Sequence, residues 1–294
     1  MPTTIKQQRA HQKEFDKLKR QADRLDDQAV IEMLRLLRNT RRDIAARLIS
    51  AEGFNLQFLS ALDQSINQIF AGFDRVWRND FESRLVNAFD AGIDLVDFPL
   101  RQIGADSALL VLPGVEQQVL LNALDRGSRF ITNLSKQAAD KINAQILLSL
   151  TSQASLTDTM REIGRNIDKG IFKTVANRAE TIARTEINSA INQATISRFE
   201  QVSKEIPGMK KFWIHPGDVG NPHARGAHIA VWRRTTPSQG GRPIPVKQRF
   251  LVGGERALGP HGAGLSAKNT IQCRCRLGSH IEQAQIQEPL RLFL

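Results

Sequence analysis

Tyrosine is absent from the 294 residues, and cysteine occurs only twice. Cys273 and Cys275 stand one residue apart, so they cannot staple distant loops. A disulfide framework is excluded, and nothing signals an oxidising compartment. No run of about 18 apolar residues occurs, so no membrane span is expected. The opening MPTTIKQQRAHQKEFDKLKR lacks the apolar stretch of a secretory signal, and folding in a reducing cytoplasm is the expectation. Between Lys6 and Ser50 there is neither proline nor glycine, so nothing there punctuates a helix. With aromatics at 6%, packing falls to Leu, Ile, Ala and Phe.

What is abundant is positive charge. Lys and Arg number 41 against 30 Asp and Glu, a formal net charge of +11. Such a surplus suits a polyanionic partner, nucleic acid before an anionic membrane or an acidic protein. Solubility alone is the blander use of the same charge. The apolar share of 41% is ordinary for a globular chain, and the length allows two domains.

Apolar positions Phe15, Leu18, Ala22, Leu25 and Ala29 alternate steps of three and four, and Met33, Leu37, Ile44 and Leu48 follow. This stripe predicts a long amphipathic helix, broken once. Lys13, Lys17, Arg20, Arg24, Arg38, Arg41 and Arg42 fall off the stripe as a wet basic face. A second helix carries Phe58, Leu62, Ile66, Ile69, Phe73, Val76, Trp77, Phe81 and Leu85 on one expected face, and Pro99 and Gly104 then predict a connector. Helical segments are expected over 115–124 and 129–150, a capped start at Ser155–Asp158, and a long helix over 174–203. Composition changes at Pro207. Beyond it, Lys211–Ile214 and His228–Trp232 read as short strands between turns. The expected fold class is α+β: mainly α-helical over the N-terminal two thirds, closed by a small α+β or irregular β module. The domains are drawn at 1–150, a helical region, and 151–294. The second comprises a helix at 173–206, a β-rich module at 207–280 and a tail at 281–294.

Five of the six histidines lie beyond Pro207: His215, His223, His228, His261 and His280. Both cysteines join them, and imidazole and thiolate are the donors zinc prefers. The flanking Arg274 and Arg276 favour the thiolate forms. Metal site and buried free thiols both stand as readings of these types. A redox dithiol is weaker, because a C-x-C disulfide closes a strained ring and no thioredoxin-like βαβ pattern surrounds it. His228 and Asn269 suggest a nuclease of the His-Asn type, yet nothing local supplies a general base and a phosphate clamp.

An ordered set of motifs spans about 173–277. It runs Ala183-Arg-Thr-Glu186, Asn192-Gln-Ala194, Trp213, Asp218 and Arg225-Gly-Ala-His228. It continues through Gly241-Arg-Pro-Ile-Pro-Val246, Phe250-Leu-Val-Gly-Gly-Glu255 and Ser266-Ala-Lys-Asn-Thr-Ile-Gln-Cys-Arg-Cys275. This block resembles the C-terminal domain of the phage Mu F-like head morphogenesis family, the minor head or minor capsid proteins of tailed phages. Two positions depart from the family pattern. Gln272 stands where many relatives have Asn, and Gly259-Pro-His-Gly262 replaces an acidic loop. The helical N-terminal half carries no matching motif.

The resemblance implies a virion component inside the capsid near the portal vertex, present in the host cytoplasm during assembly. It implies contact with the portal protein and with major capsid or scaffold protein. Packaged double-stranded DNA would be held non-specifically, with a role in DNA packaging or ejection. Arg184, Thr185, Glu186, Asn192, Asp218, Arg225, Gly253, Gly254 and Asn269 are the expected structural motif, with Gly253 and Gly254 in a hairpin turn. Glu186 is expected to pair with Arg225 or an arginine of the CRCR segment. The implied zinc ligands are His228, Cys273 and Cys275, with His223, His261 or His215 as fourth. The alternatives are a metal-dependent nuclease or hydrolase, and a zinc-stapled DNA-binding protein.

Overall fold

A computed structural model of the chain describes residues 4–49, 56–105, 117–151, 167–216 and 224–281. The expected α+β architecture is present: long helices fill the first two thirds, and a small antiparallel sheet region closes the described chain. Helix α1 runs unbroken over Ile5–Ile49, and α2 covers Leu56–Arg101. Helix α3 covers Gln117–Thr151. A π-helical turn at Ile167–Phe172 leads into α4, Lys173–Glu205.

Several boundaries differ from the sequence expectation, each for a physical reason. α1 has no break, because its span holds no residue that would cause one. Of its predicted stripe, Phe15, Ala22, Ala29, Met33, Leu37, Ile44 and Leu48 are buried while Leu18 and Leu25 are half-buried, and the basic residues read off it are exposed. α2 passes through Pro99 and ends two residues later, with Gly104 at φ 84 behind it. Val96, Leu100 and Ile103 are buried in the core of the C-terminal module, and that packing outweighs the proline. α3 joins the two expected segments into one helix through the buried Gly127. The Ser155–Asp158 cap lies outside the described residues.

Beyond α4 come β1, Met209–Ile214, and α5, Gly226–Thr235. A 3-10 turn at Pro237–Gln239 precedes β2, Ile244–Pro245. Then follow β3, Phe250–Val252, β4, Glu255–Ala257, α6, Ala267–Thr270, and β5, Arg276–Ile281. The sheet order is β2-β1-β5, antiparallel, with Trp213 opposite Leu277. β3 and β4 form a separate hairpin whose turn, Gly253–Gly254, has φ of 58° and 89°. Both angles lie in the left-handed region that a type I′ turn requires and that glycine adopts freely. The run His228–Trp232 is a correction: it lies in α5, not in a strand. His228, Val231 and Thr235 are its buried residues, a helical spacing that a five-residue window cannot separate from a strand.

The chain forms two compact units built from discontinuous segments, so neither coincides with 1–150 or 151–294. One takes residues 1–26, 85–123 and 184–294; the other takes 27–84 and 124–183. In the second unit, Phe70, Phe73, Trp77 and Phe81 form an aromatic ladder along α2. Thr132 Oγ1 and Ser128 Oγ donate from α3 to Asp74 and Glu82 of α2. In the first unit, α2 and α4 approach closely at Gly92, where a Cβ would lie 2.3 Å from the Ile191 carbonyl oxygen. Thr195 Oγ1 donates to the Gly92 carbonyl at 2.9 Å across that contact.

Candidate metal centre

Two segments of the first unit bring the donors together. His228 sits in the first turn of α5, and the cysteines occupy the extended stretch between α6 and β5. Residues two apart in an extended chain share a face, so Cys273 and Cys275 both point inward while Arg274 points away. Gln272 sets up this geometry. It adopts φ 54°, and its N–H donates to Thr185 Oγ1 of α4 at 3.0 Å. Arg225, at the start of α5, donates to the Ile271 carbonyl at 2.5 Å and ties the helix to the cysteine loop. Asn192 Nδ2 donates to the Asn188 and Cys275 carbonyls, fixing α4 against the second cysteine.

The outcome is a buried three-residue group. His228 Nδ1 lies 3.5 Å from Cys273 Sγ and 3.4 Å from Cys275 Sγ. All three ligand atoms lie within 4.8 Å of one another, and each residue is about 2% exposed. One imidazole and two thiols make a donor set that could hold a metal ion, one of borderline to soft character. Trp213 packs edge-on against the His228 ring at 5.3 Å and walls off the site. Hydrogen bonding from Cys275, then from His228 and His261, pulls the Cys273 thiol down, whereas burial pushes Cys275 up. The pair therefore shares its protons unequally.

The other candidate ligands behave differently. His261 is buried with φ 56°, and its Nε2 donates to the Cys273 carbonyl at 2.8 Å. It is not in the three-residue group, and His215 packs on the Trp232 ring at 5.9 Å. His223 and Asp218 lie outside the described residues. His280, on β5, lines a cavity of about 540 Å³ together with His11, whose Nε2 lies 2.9 Å from Ser279 Oγ.

The remaining motif residues knit the same unit. Arg184 lies 3.5 Å from Asp26 of α1, and Glu186 is buried. Asn269 Oδ1 faces His228 Nε2 at 3.2 Å, while its amide nitrogen donates to Glu255 Oε2 at 2.8 Å. Gly253 and Gly254 turn the hairpin that presents Glu255.

Sequence reasoning did not anticipate the anchoring acids. Arg274 Nε donates to the fully buried Asp26 at 2.8 Å, and Arg276 pairs with Asp23 at 3.3 Å. The available signal was the acidic run Asp23, Asp26, Asp27 within an otherwise basic helix. Among the described residues no helix is long and apolar enough to cross a membrane. No family model, curated protein or solved structure matches the chain.

Proposed function

We propose that the chain is a minor head protein of a tailed phage, of the Mu F-like head morphogenesis kind, acting at the portal vertex in capsid assembly and in DNA packaging or ejection. One observation carries the reading. Those of the family-like residues that are described, scattered from Arg184 to Cys275, converge on a single module and are linked by hydrogen bonds across it. Thr185 meets Gln272, Asn192 meets Cys275, Arg225 meets Ile271, and Asn269 joins Glu255 to His228. A set of unrelated short matches has no reason to do so.

Zinc is the ion proposed for the centre. Zinc distances of roughly 2.0–2.1 Å to nitrogen and 2.3 Å to sulfur, at a tetrahedral angle, put nitrogen and sulfur about 3.5 Å apart. The observed separations of 3.4 and 3.5 Å match that spacing before any ion is added. The ion would hold α5 to the cysteine loop as a structural staple. A nuclease reading would need His228 and Asn269 to reach a phosphate, and both are buried at 2% and 4% exposure.

The exposed basic face of α1, with Arg20, Arg24, Arg38 and Arg42, supports contact with packaged DNA through phosphates. The long helices are the proposed portal or capsid surface. The protein is expected in intact particles and to co-purify with portal from disrupted ones; a free monomer absent from particles would contradict the proposal.

A further inference from the structure

We infer that Glu255 and Asn269 are positioning residues of the metal centre, fixing the His228 ring so that Nδ1, and not Nε2, is the atom offered to the ion. The inference rests on reading His228, Cys273 and Cys275 as metal ligands. It follows from the order in which the hydrogen-bond choices close.

An ionised carboxylate only accepts. Glu255 Oε2 accepts from the Ser266 N–H at 2.8 Å and from Asn269 Nδ2 at 2.8 Å. Hydrogen bonding from the Ser266 side chain, then from Asn269 and the Ser266 N–H, holds the Glu255 carboxyl down at about 2, so it stays an acceptor across the neutral range. With a carboxylate on one side, the Asn269 amide must turn its NH₂ that way, because the reverse sets oxygen against oxygen. Asn269 Oδ1 is thereby directed at His228 Nε2, 3.2 Å away. That oxygen can only accept, so Nε2 carries the hydrogen. In the neutral imidazole the remaining lone pair is then on Nδ1. Nδ1 is the atom that faces both sulfurs.

Each link sits on a different element. Glu255 opens β4 directly after the Gly253–Gly254 turn, Asn269 lies in α6 and His228 in α5. Gly253 packs into this corner: a Cβ there would stand 3.3 Å from Ala227 Cβ and 3.7 Å from Asn269 Nδ2. The hairpin thus supports the centre although none of its residues is a ligand. Partners of a ligating histidine typically set metal affinity by about 10–100-fold when removed.

The test uses the purified full chain. Wild type is loaded with ¹¹³Cd(II) as a zinc surrogate, and ¹⁵N-histidine NMR locates the one-bond metal–nitrogen coupling in His228. Coupling to Nδ1 is the expected result, and coupling to Nε2 overturns the inference. In parallel, zinc affinity is measured by chelator competition for wild type, Asn269→Ala and Glu255→Gln. Both variants are expected to bind one zinc more weakly, Asn269→Ala by about 10–100-fold. Their metal-free forms are expected to melt as metal-free wild type does. Unchanged affinity, or a loss that only follows lower metal-free stability, overturns the positioning role. A wild type that takes up neither zinc nor cadmium overturns the metal reading itself and this inference with it. Metal uptake with the wrong nitrogen or with indifferent variants overturns the inference alone.

Discussion

At the scale of single residues, Gln272 and His11 do work that their identities do not advertise. Gln272 holds φ 54°, a conformation that costs a residue with a Cβ about 1–2 kcal/mol and that Asn visits more readily. The resemblance places Asn at this position, and the left-handed backbone supplies a physical reason. Gln272→Asn is expected to raise stability by roughly 0.5–1 kcal/mol in denaturant titration, the Thr185 bond being made by the backbone. A lower midpoint would contradict this. His11 is buried against Ser279, and burial, then His280, lowers its pKa from 6.5 to about 4. The unfolded chain therefore takes up the proton first as pH falls. Stability owed to neutral His11 is complete above pH 6.5 and is lost progressively from there to about pH 4, by about 3 kcal/mol in all. His11→Gln is expected to flatten that part of the stability–pH curve; an unchanged slope would contradict it. His228, Cys273 and Cys275 were legible as candidate donors because their side-chain types announce metal chemistry. Glu255 and Asn269 were not legible as their support, because three elements folded together create that chain and no sequence spacing encodes it.

At the scale of elements, periodicity served where segments were long and failed where they were short. The α1 stripe was readable over 45 residues. The five residues His228–Trp232 fit either period, and tertiary contacts decided for helix: Thr235 Oγ1 accepts from the Trp213 N–H at 3.0 Å and donates back to Val231. Pro99 misled in the opposite sense, since burial of its neighbours carried α2 past it. The joint between α1 and the cysteine loop was signalled only by the acidic residues Asp23, Asp26 and Asp27, and Arg274, which pairs with Asp26, lies 248 residues away in sequence. Asp26 is fully buried between Arg274 and Arg184, whose side chains keep 33% and 22% exposure. Removing a buried partner of this kind costs about 3–5 kcal/mol when both sides are desolvated, and less where the arginines reach water. Asp26→Asn is expected to cost about 2–3 kcal/mol, read as a drop in denaturation midpoint at unchanged slope. A midpoint equal to wild type would show that the CRCR arginines do not anchor this helix.

At the scale of the whole molecule, the chain pairs a helical unit with a unit in which N-terminal helix, central helices and C-terminal module interleave. The units are built from segments far apart in sequence, so no single cut along the chain separates them: compactness is a property of contacts, and composition changes only at Pro207. Fold class was legible because long helices and a turn-rich end differ in composition. A function can be proposed only through the order of motifs, whose convergence on one module supports the proposal of a phage minor head protein with a metal-stapled C-terminal module. Elemental analysis of the purified chain, repeated on Cys273→Ser, tests the staple most directly. One zinc per chain in the wild type and none in the variant is the expected result. A folded wild type free of metal would contradict the account and leave His228, Cys273 and Cys275 as packed core residues.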